Sequence, residues 1–349
     1  MEPQVNNSFE ERNTDGRKTP MISIVIPAYN EEGNLFELYK DLQTHIEKIG
    51  ESIEIIFVDD GSSDNTWQVI TELQNIDKRV KGIQFSRNFG HQYALFAGLQ
   101  YARGDAVITM DADMQHPPEM IPKLINEWKT GKKVVQTIRT DLKELSGFKK
   151  ITSKLYYKIF SFLTGVKLEH GMADFRLLDR QVIESILSFR EEGLFLRGIV
   201  QWVGYPASYV GFQCRERFSG TTKYSLRRMI KFGAAGVTSF SIIPLRIGIA
   251  IGILISLFSF YLIINTLHSY YLGLTIPGWT TTVTVMSFMF GMLFILLGLL
   301  GEYIGRILIE VRGRPLYLVQ NFSGFGESTD NTSNDQISYN NVKRNFIPS

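Results

Sequence analysis

From residue 21 to about residue 137, short β-branched runs alternate with longer amphipathic stretches. The runs cover residues 22–26, 53–58, 80–85, 106–110 and 133–137, with helical candidates at 33–49, 66–75, 91–102 and 118–130 between them. That alternation is the pattern of βαβ units joined by right-handed crossovers, and it predicts an α/β domain with a parallel sheet. In such sheets ligands sit beyond the carboxyl ends of the strands. Four polar loops fall there, at residues 27–32, 59–64, 86–91 and 111–116, and they should converge on one crevice.

Downstream the pattern changes. Residues 148–163 and 224–235 are amphipathic and basic. Such helices can lie in a membrane interface with lysines toward lipid phosphates, and they also read as surface helices packed on their own domain. Residues 247–267 and 283–301 carry no charge, and each has about the length needed to cross a hydrocarbon core of ~30 Å. Two spans are therefore expected. Arg227, Arg228, Lys231 and Arg246 precede the first, and Arg306, Arg312 and Arg314 follow the second, whereas the stretch between has no Lys or Arg. This asymmetry predicts a multi-pass protein of the cytoplasmic (inner) membrane with its catalytic domain in the cytoplasm. Gly248 with Gly252, and Gly301 with Gly305, have small-xxx-small spacing, which points to a homo-oligomer. Residues 1–20 and 321–349 are polar and are expected to be disordered tails. The expected division is thus a tail at 1–20, a catalytic domain at 21–223, an interface helix at 224–240, a two-span region at 241–310 and a tail at 321–349.

Composition narrows the chemistry. Hydrophobic residues make up 44% of the 349-residue chain, enough for a sizeable core, and the formal charge of +2 is too balanced for a nucleic-acid binder. A lone cysteine, Cys214, permits no intrachain disulfide and fits a reducing compartment.

The strongest chemical signal is Asp111-Ala112-Asp113-Met114-Gln115-His116-Pro117-Pro118-Glu119 after a hydrophobic strand. Two carboxylates two positions apart, followed by an amide oxygen, are hard ligands suited to Mg²⁺ or Mn²⁺ bridging a diphosphate. Pro117 and Pro118 also start the next helix. A second loop, Asp59-Asp60-Gly61-Ser62-Ser63-Asp64-Asn65-Thr66, follows another strand. Asp64 or Thr66 can cap a helix, while Asp59 and Asp60 can accept hydrogen bonds from base N–H groups or ribose hydroxyls. The chain has no Gly-x-Gly-x-x-Gly after the first strand and no Walker loop, so a dinucleotide cofactor is disfavoured.

Together with Ile26-Pro27-Ala28-Tyr29-Asn30-Glu31-Glu32, these motifs resemble family 2 glycosyltransferases of the GT-A (Rossmann-like) fold. Within that family the likeness is to polyisoprenyl-phosphate glycosyltransferases, the group of dolichyl-phosphate mannose synthase and the bactoprenol glucosyltransferases. It covers roughly residues 21–315. The resemblance implies that Pro27, Tyr29, Glu31, Asp59 and Asp60 surround the donor nucleotide. It likewise gives the metal and diphosphate to Asp111, Asp113 and Gln115. Arg217 and Lys223 match a basic loop closing over the diphosphate, and Arg139, Lys149 and Ser153 match positions that meet the acceptor phosphate. Asp174 matches an acid near the acceptor, while an ion pair with Arg176 is its alternative reading. His116 and His170 read as turn or packing residues.

The implied reaction is an inverting, metal-dependent transfer of a sugar, glucose from UDP-glucose being favoured, onto undecaprenyl phosphate. A processive polysaccharide synthase would share the domain but carry a Gln-x-x-Arg-Trp motif, which Gln201-Trp202 does not match. A non-catalytic membrane scaffold would not need the acidic and basic set intact.

Overall fold

A computed structural model describes residues 22–140, 171–189, 194–215, part of 252–272 and 278–325. Lys149, Ser153, Arg217, Lys223, both basic amphipathic stretches and most of the first apolar run lie outside the described residues.

The catalytic region is a three-layer α/β/α sandwich around an eight-stranded sheet of order β7-β5-β6-β4-β1-β2-β3-β8. In chain order the strands are β1 (Ile22–Ala28), β2 (Ile53–Asp59), β3 (Val80–Phe85), β4 (Ala106–Thr109), β5 (Val134–Arg139), β6 (Met172–Asp179), β7 (Ala207–Phe212) and β8 (Val319–Ser323). The helices are α1 (Glu32–Ile46), α2 (Thr66–Ile76), α3 (His91–Tyr101), α4 (Ile121–Lys129), α5 (Arg180–Leu187), α6 (Leu196–Trp202) and α7 (Trp279–Arg312). Apolar side chains of α1, α2 and α4 cover one face of the sheet, and those of α3, α5 and α6 cover the other. Strands β1, β2, β4 and β6 are buried along their whole length, as strands sandwiched between helical layers must be.

The sheet is mixed, not parallel throughout. β1 pairs in parallel with β2 and β4, and β2 with β3, as expected. β6, however, runs antiparallel between β4 and β5, and β8 closes the far edge antiparallel to β3. The reversal places the end of β4 beside the start of β6, so that Asp111 and Asp174 come from opposite ends of their strands to the same edge.

The expected tail from residue 321 is corrected in the same way. Asn321 and Phe322 belong to β8, where Phe322 and Phe325 pack edge-on against Tyr101. Edge-on ring contacts with α3 and the backbone pairing with β3 override the polar composition that argued for disorder. The catalytic fold is therefore discontinuous in sequence: its last strand follows α7.

Among the described residues one helical stretch, Phe288–Arg312, is long and apolar enough to cross a membrane. It lies in α7, which ends at Gly313 in the left-handed conformation (φ 54°), a helix stop that glycine adopts without strain.

Candidate active site

The loop after β4 is a tight turn closed on a histidine. Asp111 N–H donates to His116 Nδ1 at 2.9 Å, and Gln115 N–H donates to Asp113 Oδ1 at 3.2 Å. Met114, between them, has φ of 62°, a conformation that non-glycine residues adopt only when the surroundings impose it. The hydrogen bond to Nδ1 fixes the tautomer, leaving the proton of the neutral ring on Nε2. His116 is buried, stacked on Phe175 at 5.1 Å and edge-on to Phe212 at 5.8 Å. Burial holds its pKa down against the pull of Asp111 and Asp113. His116 is thus a turn and packing residue, and it orients Asp111. One oxygen of that carboxylate, Oδ1, is buried and makes no hydrogen bond, with His91 Nε2 3.5 Å away.

Asp174 faces the same point from β6. It is 4% exposed and shares its strand face with Arg176, two positions on. Arg197, from α6, grips it with two bonds, Nε to Oδ1 at 2.9 Å and Nη2 to Oδ2 at 2.7 Å. Arg176 pairs with Oδ1, and His91 Nε2 lies 3.8 Å from Oδ2. Burial alone would raise the carboxyl's pKa, but Arg197, His91 and Arg176 together hold it well below the carboxylate range. Such a group is ionised at neutral pH and is a poor proton acceptor. Burial pulls the His91 imidazole down, and the carboxylates of Asp174 and Asp111 outweigh it, so His91 titrates above its ordinary value.

The Asp59–Asp60 loop builds the other wall. Asp60 is buried and spends its carboxylate on the backbone of the next loop, accepting from Phe89 N–H at 2.7 Å and Gly90 N–H at 2.9 Å. Burial raises its pKa, and these two bonds oppose the rise. Because His91 is the first residue of α3, the bonds also aim it at Asp111. Gly61 (φ +66°) crosses Arg87 so closely that a Cβ would sit 2.3 Å from its carbonyl carbon, which excludes any side chain there. Asp59 is buried as well, accepting from Ser62 N–H at 2.9 Å and Gln84 Nε2 at 3.2 Å.

Of the first motif, Pro27 is buried in β1, and Tyr29 stands 45% exposed at the crevice. Asn30 (φ 55°) straps the two loops together by accepting from Ser63 N–H at 2.9 Å and donating its own N–H to Ser62 Oγ at 2.9 Å. Glu31 turns its carboxylate onto Asn34 at 2.5 Å, toward α1.

Arg139 ends β5, its N–H bonded to Gly171 O at 3.0 Å, and its charge reaches His116. Arg215 N–H donates to Gln115 O at 3.2 Å, and its guanidinium pairs with Asp41 and Glu119. Arg215, the last described residue before the segment that carries Arg217 and Lys223, thus lies directly beside the Asp111–Gln115 loop. His91, Arg197 and Arg215 were not singled out from the sequence. His91 sat in a loop already assigned to the sheet edge; the apolar setting of Arg197 held no signal at all.

The Asp111 carboxylate with its orphaned Oδ1, the Asp113 carboxylate and the Gln115 amide oxygen are all oxygen donors, the chemistry that suits Mg²⁺ or Mn²⁺. Among the described residues no group of three or more His, Cys, Asp and Glu side chains is gathered tightly enough to enclose an ion unaided.

The profile of glycosyl transferase family 2 matches residues 23–187. An uncharacterized glycosyltransferase of Bacillus subtilis, YkcC, is 41% identical over 86% of this chain and 94% of its own length. The SfII prophage-derived bactoprenol glucosyl transferase of Shigella flexneri is 38% identical over 86% of this chain and 97% of its own. The bactoprenol glucosyl transferase of Shigella phage SfV is 38% identical over 86% and 98%. A solved structure, mannosyl-3-phosphoglycerate synthase from Rubrobacter xylanophilus, covers 63% of this chain and 72% of that one at 16% identity with a TM-score of 0.43, a likeness too loose to bear on the chemistry.

Proposed function

Since the chain belongs to glycosyl transferase family 2, we propose that it moves a glucosyl group from UDP-glucose onto the phosphate of undecaprenyl phosphate, at the cytoplasmic face of the membrane and with inversion. The observation that carries this reading is the meeting of two differently charged half-sites at one sheet edge. On one side stand Asp111 and Asp113, suited to a metal-bound diphosphate; on the other, Asp174 sits in a nest of Arg176 and Arg197, with Arg139 nearby. Two relatives named for bactoprenol glucosyl transfer, matched along nearly their whole length, support the lipid acceptor and the sugar.

In the reaction an acceptor phosphate oxygen bonds to the anomeric carbon as the bond from that carbon to the diphosphate breaks, releasing a nucleoside diphosphate. Asp111, Asp113 and Gln115 would hold Mg²⁺ or Mn²⁺, which when bound supplies charge neutralisation to the departing diphosphate. Tyr29 offers the base a ring to stack on. Arg217 and Lys223 would add cations over the diphosphate, and Arg139, Lys149 and Ser153 would receive the acceptor phosphate. Asp174 needs no proton to do its part: a phosphate monoester has its second pKa near ~6 and is already largely dianionic at neutral pH. Its role is to hold Arg176 and Arg197 in place beside the acceptor.

Incubating the purified chain with radiolabelled UDP-glucose, undecaprenyl phosphate and Mn²⁺ should transfer label to the organic phase. Label that stays aqueous with UDP-glucose and with other nucleotide-sugars would sink the reading.

A further inference from the structure

β8 comes after the membrane-length helix in the chain, yet it completes the sheet next to the nucleotide-side loops. Across three adjacent strands the register sets Asp59 opposite Gln84 and Gln84 opposite Asn321. Directly opposed residues project from the same face of a sheet. Here they join in one hydrogen-bonded row: Asn321 Nδ2 donates to Gln84 Oε1 at 2.6 Å, and Gln84 Nε2 donates to Asp59 Oδ2 at 3.2 Å. The other Asp59 oxygen holds Ser62, whose hydroxyl receives the Asn30 N–H.

The direction of the row is forced. A carboxylate only accepts, so Gln84 must turn its NH₂ group to Asp59; its amide oxygen then faces β8 and needs a donor, which Asn321 supplies. Asp59 is fully buried, and losing Gln84 would leave one of its oxygens without a partner, at a cost that favours rotation of the carboxylate and displacement of the Ser62 loop. β8 is held in register by the residues that lead into it. Leu318 O accepts Ser86 N–H at 3.0 Å, and Tyr317 stacks on Phe85 at 4.8 Å while its hydroxyl donates to Gln100 at 2.7 Å.

We propose that Gln84 and Asn321 are positioning residues for the donor pocket, acting through Asp59, so that nucleotide affinity depends on the strand following the membrane-length helix being seated on β3. This rests on reading Asp59 as part of that pocket. The test uses the full chain in lipid nanodiscs, with UDP binding followed by calorimetry and turnover followed with UDP-glucose and undecaprenyl phosphate. Asn321→Ala should weaken UDP binding about three- to tenfold, the loss of one hydrogen bond. It should raise the donor KM alike and leave kcat and the lipid KM unchanged, a split that general destabilisation does not produce. Gln84→Glu should be worse than Gln84→Met, since it sets one carboxylate against another. Combining Asn321→Ala with Gln84→Met should cost no more than Gln84→Met alone, because the two act in series. Additive losses, or a loss in kcat or lipid KM with UDP affinity intact, would overturn the relay. Asp59→Ala separates the two levels. If it weakens UDP binding and Asn321→Ala does not, the relay alone falls; if Asp59→Ala has no effect, the donor-pocket reading and the relay fall together.

Discussion

Two arginines decide what Asp174 can do. A buried carboxyl left alone would bind its proton more tightly, yet Arg197 and Arg176 reverse that tendency, and His91 adds to them. A base that surrenders its proton so easily has little driving force to take one in a transition state. Asp174→Asn should therefore lower kcat on the order of 10²-fold, with no recovery as pH rises beyond the range in which the neighbouring His91 titrates, because alkali cannot restore a missing ionic contact. Recovery toward the wild-type rate at high pH would reinstate general-base catalysis. The same variant has a stability signature with a defined sign. The folded pKa of Asp174 is depressed, so its contribution is present above the unfolded value of about 3.9 and is lost as pH falls below it. Thermal melts should show wild type more stable than Asp174→Asn by about 3 kcal/mol at neutral pH, the cost of removing the carboxylate that pairs with the buried Arg176 guanidinium, with the gap closing in acid. At this scale the sequence was legible wherever a motif was local. Asp111, Asp113 and Gln115 lie within five positions of one another, and their loop folds on itself. Arg197 reaches Asp174 across 23 positions and His91 reaches it across a loop anchored by Asp60, so neither contact leaves a trace in spacing.

At the scale of elements the close approach of α3 to the sheet is what brings His91 to the edge. Gly98 makes that approach possible: a Cβ there would lie 2.1 Å from Val25 Cγ1. In an open helix, Gly98→Ala would gain about 1 kcal/mol of propensity. Here overpacking should win, and a net loss of about 1–3 kcal/mol is expected in chemical denaturation. Val25→Ala removes the offending methyls, so in that background Gly98→Ala should become neutral or stabilising. A penalty of equal size in both backgrounds would show that α3 is not seated against Val25. Strands and helices were readable here because their hydrophobic periods differ; strand direction was not, since an apolar run reads the same both ways. That is why β6 emerges antiparallel where a parallel sheet was expected, and why the end of β8, the Asn-Phe-Ser that begins at residue 321, looked like tail. Its partners are supplied by Gln84 and Tyr101, which are far away in the chain.

For the whole molecule the proposed reaction sets the question of how the sheet would reach a lipid acceptor. α7 runs for 34 residues, or about 51 Å at 1.5 Å per residue, well beyond a hydrocarbon core of ~30 Å. A short connection after the Gly313 stop leads into β8, so the helix end is tied to the edge of the sheet through the pairing of β8 with β3. Along its apolar part Phe288, Phe290, Phe294, Ile295 and Leu297 are exposed around the circumference, a distribution that no soluble surface helix needs and that a bilayer satisfies. Residues 279–312 placed in a membrane-insertion reporter should therefore insert as a span. Phe294→Arg, near the middle of the apolar stretch, should shift the insertion equilibrium by about 2.5–3.5 kcal/mol toward the translocated form, the usual cost of a central arginine. Glycosylation of acceptor sites on the two sides of the segment reads both states directly. Full translocation of the unmodified segment would mean that α7 does not span and that the sheet reaches its lipid by another route, whereas insertion undisturbed by arginine would mean that position 294 faces protein and not lipid.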